Sequence, residues 1–256
     1  MNAFDLQVSE ERLENVAASV TYAVINGLRG DYVEAGVWRG GCSLFAAHAI
    51  KLFSRCGAPY QPHVWMADSF EGFPEPREED KLLKSEEKAA PMDRPGTKNV
   101  GGMDKVRDLF EQYGMLEPGS PPIHFLAGWF KDTLPSAPVE AISVLRADGD
   151  LYSSTMDIFN ALFHRVVPCG LVIIDDYGHF PQCKKAVVDF FTDMDYAPRL
   201  CVVDYTAVWF QNTHGVLEGT CPMLPPSVCT RWIDFGSDNK EVLPLAAIHL
   251  HRHTKG

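Results

Sequence analysis

Short apolar runs rich in branched residues recur along this chain, and helix-like stretches separate them. Two of the runs end in clustered acids. Ala141-Ile142-Ser143-Val144-Leu145 leads into Asp148-Gly149-Asp150, and Gly170-Leu171-Val172-Ile173-Ile174 leads into Asp175-Asp176. Runs this short and this branched read as strands buried on both faces of a parallel sheet. A carboxylate at the C-terminal end of such a strand lies on the rim where open α/β sheets bind ligands. Several ionised carboxylates crowded there repel one another unless they are protonated, solvated or offset by a cation. Oxygen ligands of this kind favour Mg²⁺ or another hard divalent ion.

The remaining elements follow the same alternation. Residues 8–28 read as a helix, with Ser9 as its cap, Glu10 to Glu14 supplying acids at its start, and Gly27 near its end. Strands are expected over 32–37, 63–67, 123–126, 141–147 and 170–174. Helices are expected over 43–53, 103–113, 155–166 and 182–194. Strands near 199–203 and 206–211 have little between them, which predicts an antiparallel edge hairpin. Alternating strands and helices imply a doubly wound, mostly parallel sheet with right-handed crossovers. Residues 69–102 carry charges, prolines and glycines without periodicity, and a loop of that length predicts a lid. Residues 212–256 have no readable pattern, and no linker or repeat divides the 256-residue chain, so a single domain is expected.

Composition narrows the partners. The net charge is −11 and no basic stripe is present, which disfavours nucleic acid and anionic membranes. No apolar run reaches membrane-span length, and Met1-Asn2-Ala3-Phe4-Asp5 lacks a secretory pattern. The seven cysteines are scattered without a Cys-x-x-Cys pair, which suits reduced thiols in a cytoplasmic protein.

Glu34-Ala35-Gly36-Val37-Trp38-Arg39-Gly40-Gly41 joins the first strand to the next helix. Its glycines permit a tight turn and close approach of a ligand. It is neither G-x-G-x-x-G nor a phosphate loop. Asp68, ending the second strand, is placed to accept hydrogen bonds from a ribose diol. A nucleoside ligand without polyphosphate follows, and S-adenosylmethionine fits that description.

Four blocks occur in order: Val33 to Gly41, Asp68-Ser69-Phe70-Glu71-Gly72-Phe73-Pro74, Asp148-Gly149-Asp150-Leu151-Tyr152-Ser153-Ser154-Thr155, and Ile173-Ile174-Asp175-Asp176-Tyr177-Gly178. In these the chain resembles the macrocin O-methyltransferase family from about residue 30 to 211. Gly128-Trp129-Phe130-Lys131-Asp132-Thr133-Leu134-Pro135 and Asp204-Tyr205-Thr206 are similar as well. The resemblance implies a class I-like methyltransferase with a seven-stranded, mostly parallel doubly wound sheet. It implies methyl transfer from S-adenosylmethionine to a hydroxyl, with Mg²⁺, and a sugar of a glycosylated metabolite as the leading acceptor class. It also implies Asp148, Asp175 and Asp176 as metal ligands and Asp150 as general base. Glu34, Gly36, Asp68 and Ser69 match its cofactor pocket, to which Trp38, Arg39, Gly40, Gly128 and Trp129 are assigned as neighbours. A homo-oligomer is compatible with the family and with the N-terminal helix.

Other readings remain open at this point. A catechol chelates a metal as a sugar diol does, a metal-dependent hydrolase would use the same aspartates on water, and a non-catalytic nucleoside-binding protein would keep the fold. His179 follows the acidic pair and is the second candidate base. Ser154-x-x-Asp157 fits a capping box. His249-x-His251-x-His253 has strand spacing but reads as an exposed tail. Trp38, Trp65 and Trp129 read as core or pocket wall.

Overall fold

The computed structural model describes residues 8–54, 60–81, 102–217, 219–222, 232–233 and 235. The elements run α1 (Glu10–Ile25), β1 (Asp31–Ala35), α2 (Gly41–Ser54), β2 (Val64–Asp68), α3 (Glu78–Lys81), α4 (Gly102–Gln112), β3 (Ile123–Ala127) and α5 (Phe130–Thr133). They continue with β4 (Ile142–Ala147), α6 (Tyr152–Leu162), a 3₁₀ turn (Phe163–Arg165), β5 (Val166–Ile174), α7 (Pro181–Asp193), β6 (Leu200–Val202), β7 (Val208–Gln211) and β8 (Trp232–Ile233).

The sheet has the order β3-β2-β1-β4-β5-β7-β6-β8. Its first five strands are parallel, while β7 is antiparallel to β5 and β6. This is the expected mostly parallel sheet with an antiparallel hairpin. The two-residue β8 adds a short eighth strand outside β6, from a segment without a readable pattern. Between β1 and β4 the strand order reverses, and the rim there is where doubly wound sheets place a ligand.

Side-chain alternation divides the core in two. Val33, Ala35, Leu145, Ala147, Val172 and Ile174 face the side covered by α5, α6 and α7. Tyr32, Val144, Leu171 and Ile173 face the side covered by α1, α2 and α4. Glu34 and Arg146, opposite each other in the β1–β4 register, belong by alternation to this second side. Charges in such a core are tolerated only when paired.

Local details depart from expectation in two places. The helix after β4 begins at Tyr152 with Leu151 at its cap, so Ser154 and Asp157 lie inside it and form no capping box. The cysteines are not all reduced thiols: Cys169 is joined to Cys221 with Cα atoms 5.3 Å apart, while Cys42 and Cys183 are buried and free. The pairing arises because the chain beyond β7 returns to the start of β5, where Cys169 N donates to Asn212 O and Asn212 N donates to Gly170 O. A separation of 52 residues hides that proximity in the sequence. Of the expected lid over 69–102, residues 69–81 and 102 are described and contain α3 and the first residue of α4, and residues 82–101 lie outside the described residues, as does the His249–His253 tract. No described helix is long and apolar enough to cross a membrane.

Candidate active site

Strand ends at the order reversal are stitched edge to edge. Asp148 N donates to Ala35 O, Gly36 N to Ala67 O, Asp175 N to Ala147 O and Gly128 N to Asp68 O. Gly36 has φ +96°, and a Cβ there would overlap the Asp148 carbonyl and come within 2.9 Å of the Asp148 Cβ. That position therefore demands glycine because β4 passes close, apart from any ligand. Gly40, at φ +83°, is held against Val106 of α4, whose Cγ1 would lie 2.7 Å from an added Cβ. So part of the glycine turn serves packing.

A cavity of about 660 Å³ opens over this rim. Glu34, Gly36, Trp38, Asp68, Ser69, Trp129, Asp148, Asp150, Asp175, Asp176 and His179 all line it. Arg39, Gly40 and Gly128 are not among its walls. Arg39 instead lies over the Trp38 ring, 4.6 Å from the centroid. Gly128 has φ +137°, and its backbone closes the β2–β3 rim.

Asp68 accepts from Val37 N at 2.7 Å and Trp38 N at 3.0 Å through one oxygen, and from Phe70 N at 2.8 Å through the other. It organises the turns on both sides of it while facing the cavity. Trp38 (φ 49°), Phe70 (φ 57°) and Asp150 (φ 54°) adopt left-handed backbone conformations that cost non-glycine residues energy. All three belong to rim turns, where such strain is held by surrounding hydrogen bonds.

The acids fall into two groups. Carboxylate oxygens of Asp148, Asp150 and Asp176 lie within 4.8 Å of one another. Burial, and then the charges of Asp150 and Asp148, push the Asp176 carboxyl well above its ordinary range. Asp150 N donates to Asp176 Oδ2 at 3.3 Å.

Asp175, expected as a third ligand, is not in that group. Its Oδ2 accepts from Arg12 Nη1 at 2.7 Å, and its Oδ1 is paired with Arg146 Nη2. Strand alternation explains this: Ile173 faces the α1–α2 side, so Asp175 two residues on turns to the arginines, while Asp176 follows Ile174 to the other side.

Arg146, 1% exposed, also donates to Glu34 Oε1 and Asp148 Oδ2, each at 2.8 Å. Glu34 further accepts from Tyr32 and Ser43 hydroxyls. Burial raises Glu34 to about 7 despite the opposing pull of Arg146. Thus Glu34, assigned to the cofactor pocket, forms part of its charged floor. Arg12 reaches the same floor from α1 and donates through Nε to Asp204 Oδ2 at 2.7 Å. Burial alone would raise Asp204, but bonds from Ala207 N, Arg12, Thr206 N and Ser9 hold it below its ordinary value. His179 is exposed at the mouth, with its backbone N–H on Asp176 O.

Comparison with known proteins decides the family. A family model described as macrocin-O-methyltransferase (TylF) matches residues 5–212. The chain belongs to the macrocin O-methyltransferase family. Demethyldecarbamoylnovobiocin O-methyltransferase of Streptomyces niveus is 38% identical over 203 residues, 79% of this chain and 74% of that protein. The 8-demethyl-8-(2,3-dimethoxy-alpha-L-rhamnosyl)-tetracenomycin-C 4'-O-methyltransferase of Streptomyces olivaceus is 38% identical over 206 residues, covering 80% and 75%. The solved structure of the O-methyltransferase NovP is 36% identical with a TM-score of 0.67, over 78% of this chain and 79% of that one. This macrocin O-methyltransferase family member is therefore an S-adenosylmethionine-dependent O-methyltransferase.

Several residues of the site escape a reading of sequence pattern. Arg146 stands alone among apolar neighbours, two positions before Asp148 and so on its face, which is a signal that was available. Arg12, with Asn15 and Ser19 at helical spacing, marks a buried polar stripe on α1. Asp204 pairs across 192 residues, which no local pattern reveals.

Proposed function

We propose that this enzyme moves the S-adenosylmethionine methyl group to a sugar hydroxyl of a glycosylated metabolite, with Mg²⁺ held beside the acceptor. The observation that carries the cation is the trio Asp148, Asp150 and Asp176, whose carboxylate oxygens lie within 4.8 Å of one another, with Asp176 raised by burial and by the charges of Asp150 and Asp148. Three hard oxygens at this spacing fit Mg²⁺ or Mn²⁺, and Asp148 and Asp176 are the residues we assign to hold it. A divalent ion there lowers the pKa of a hydroxyl bound to it.

The protein's own residues supply the rest. Asp150 accepts the hydroxyl proton as the oxygen forms its bond to the methyl carbon and the sulfonium carbon–sulfur bond breaks. Asp68, Ser69 and the Gly36–Trp38 turn hold the nucleoside end, with Asp68 at the strand end where such sheets bind a ribose. The cavity walls align methyl group and hydroxyl, which is the orientation the displacement requires. A sugar acceptor is supported by the rhamnosyl-bearing substrate in the name of the Streptomyces olivaceus relative.

Two measurements test this. Calorimetry with S-adenosylhomocysteine should show binding that does not depend on Mg²⁺. A mass-spectrometric screen of glycosylated acceptors should show a gain of one methyl group that chelator abolishes and Mg²⁺ restores. Full-rate methylation in chelator overturns the metal assignment. Methylation of free catechols, with glycosides untouched, overturns the acceptor class.

A further inference from the structure

α6 begins directly after the Asp148–Asp150 turn, and its own cap supplies nothing: Leu151 offers no side-chain acceptor to the first-turn N–H groups. The missing acceptor comes from another segment. Asp80 Oδ1 accepts from Ser153 N at 2.8 Å, and Asp80 Oδ2 accepts from Ser153 Oγ at 2.8 Å. Asp80 Oδ2 also accepts from Arg77 N at 2.8 Å.

Asp80 is 5% exposed, and a carboxylate buried to that degree must be fully hydrogen-bonded, as this one is. It also places negative charge at the positive end of an 11-residue helix. One turn along α6, Asp157 accepts from Arg77 Nη2 at 2.7 Å. Ser153 and Asp157 share a face of α6, so the short 77–80 segment grips that face at two points. Arg77 and Asp157 both line the cavity.

The grip lies three residues from Asp150, whose strained backbone (φ 54°) needs support from outside its own turn. We propose that Asp80 is a positioning residue for the Asp148–Asp150 turn. By capping α6 from the segment that follows the Asp68 turn, it fixes where Asp150 stands relative to Asp148 and Asp176. The segment after the nucleoside-side turn thereby braces the acidic cluster. The consequence for cation capture rests on the reading of that cluster given above.

The test uses the full chain with Asp80→Ala, Asp80→Asn and Ser153→Ala. Amide exchange over Gly149–Thr155 reads positioning directly. Mn²⁺, followed by loss of its free paramagnetic signal, reads the cluster, and S-adenosylhomocysteine calorimetry with the melting temperature reads general damage. Asp80→Ala should speed exchange in that turn and weaken Mn²⁺ by about tenfold or more, the scale for losing a residue that orients ligands. S-adenosylhomocysteine affinity should stay within about twofold. Asp80→Asn, which keeps an acceptor for Ser153 N, should recover part of the loss, and the milder Ser153→Ala should fall between it and wild type. Unchanged exchange in folded Asp80→Ala and Ser153→Ala overturns the positioning role. Wild-type protein that binds no Mn²⁺ overturns the cation reading, and with it the coupling to capture, while the exchange data still decide the positioning role.

Discussion

Asp175 and Asp176 are neighbours in the chain with opposite surroundings. Asp175 meets two guanidinium groups, of Arg12 and Arg146, and Asp176 meets two carboxylates, of Asp148 and Asp150. Both are buried. The one-residue step of an extended chain sends one acid onto the Arg12–Arg146 floor and the other toward Asp148 and Asp150, of which Asp148 also pairs with Arg146. Acids read from sequence as one cluster thus have two different sets of partners, and the alternation of the strand before them separates Asp175 from Asp176.

The sharpest break between the two should come from turnover. Asp176→Asn is expected to lower methylation by on the order of a thousandfold, the equivalent of several kcal/mol of lost charge stabilisation, with a near-wild-type melting temperature. Comparable turnover in Asp176→Asn and wild type would merge the two groups into one structural network. Stability should show the reverse pattern. Arg146→Met leaves Glu34, Asp148 and Asp175 without their shared cation and is expected to cost about 3–5 kcal/mol in denaturant unfolding, as for other broken buried ion pairs.

A smaller effect should divide the cluster itself. Asp150→Asn is expected to keep Mn²⁺ binding and lose about a hundredfold in turnover. Normal turnover would pass the proton to another group, with His179 next in place at the cavity wall. A further contrast is in the pH dependence of unfolding, where two floor residues act with opposite sign. Asp204 is held below its ordinary value, so its stabilisation is present above pH 3.8 and is lost as pH falls through the depressed value. Glu34 is raised from 4.5 to about 7, so the folded state keeps a proton the unfolded chain releases, and stability falls as pH rises across that interval. Asp204→Asn should flatten the acid limb alone and Glu34→Gln the neutral one alone, read from urea midpoints across pH.

What the sequence made legible follows from burial and period. β4 and β5 are largely apolar because both faces are covered, and the acids ending them mark the rim without further information. That reading places Asp148, Asp150, Asp175 and Asp176, and likewise Asp68 at the end of β2, at the cavity they line. The four-residue helices α3 and α5 were not legible, since one turn carries no period. Nor were the partners of the acids. Arg12 comes from α1, and the Asp80 cap comes from a stretch whose composition suggests only loop. Side-chain pairing over such distances is decided by the packed sheet, and a single chain of letters does not show it.

One feature of the floor bears on how the molecule is made. Arg12 belongs to the first helix, yet its partners Asp175 and Asp204 lie 163 and 192 residues downstream. During synthesis α1 precedes both partners, so its guanidinium has no native partner until the end of β5 brings Asp175, and its second, Asp204, comes only with the β6–β7 turn. Contacts this distant in sequence form late and slowly. The docking of α1 through Arg12 is therefore a late event, and the charge balance of the pocket floor arrives only when most of the chain is already in place.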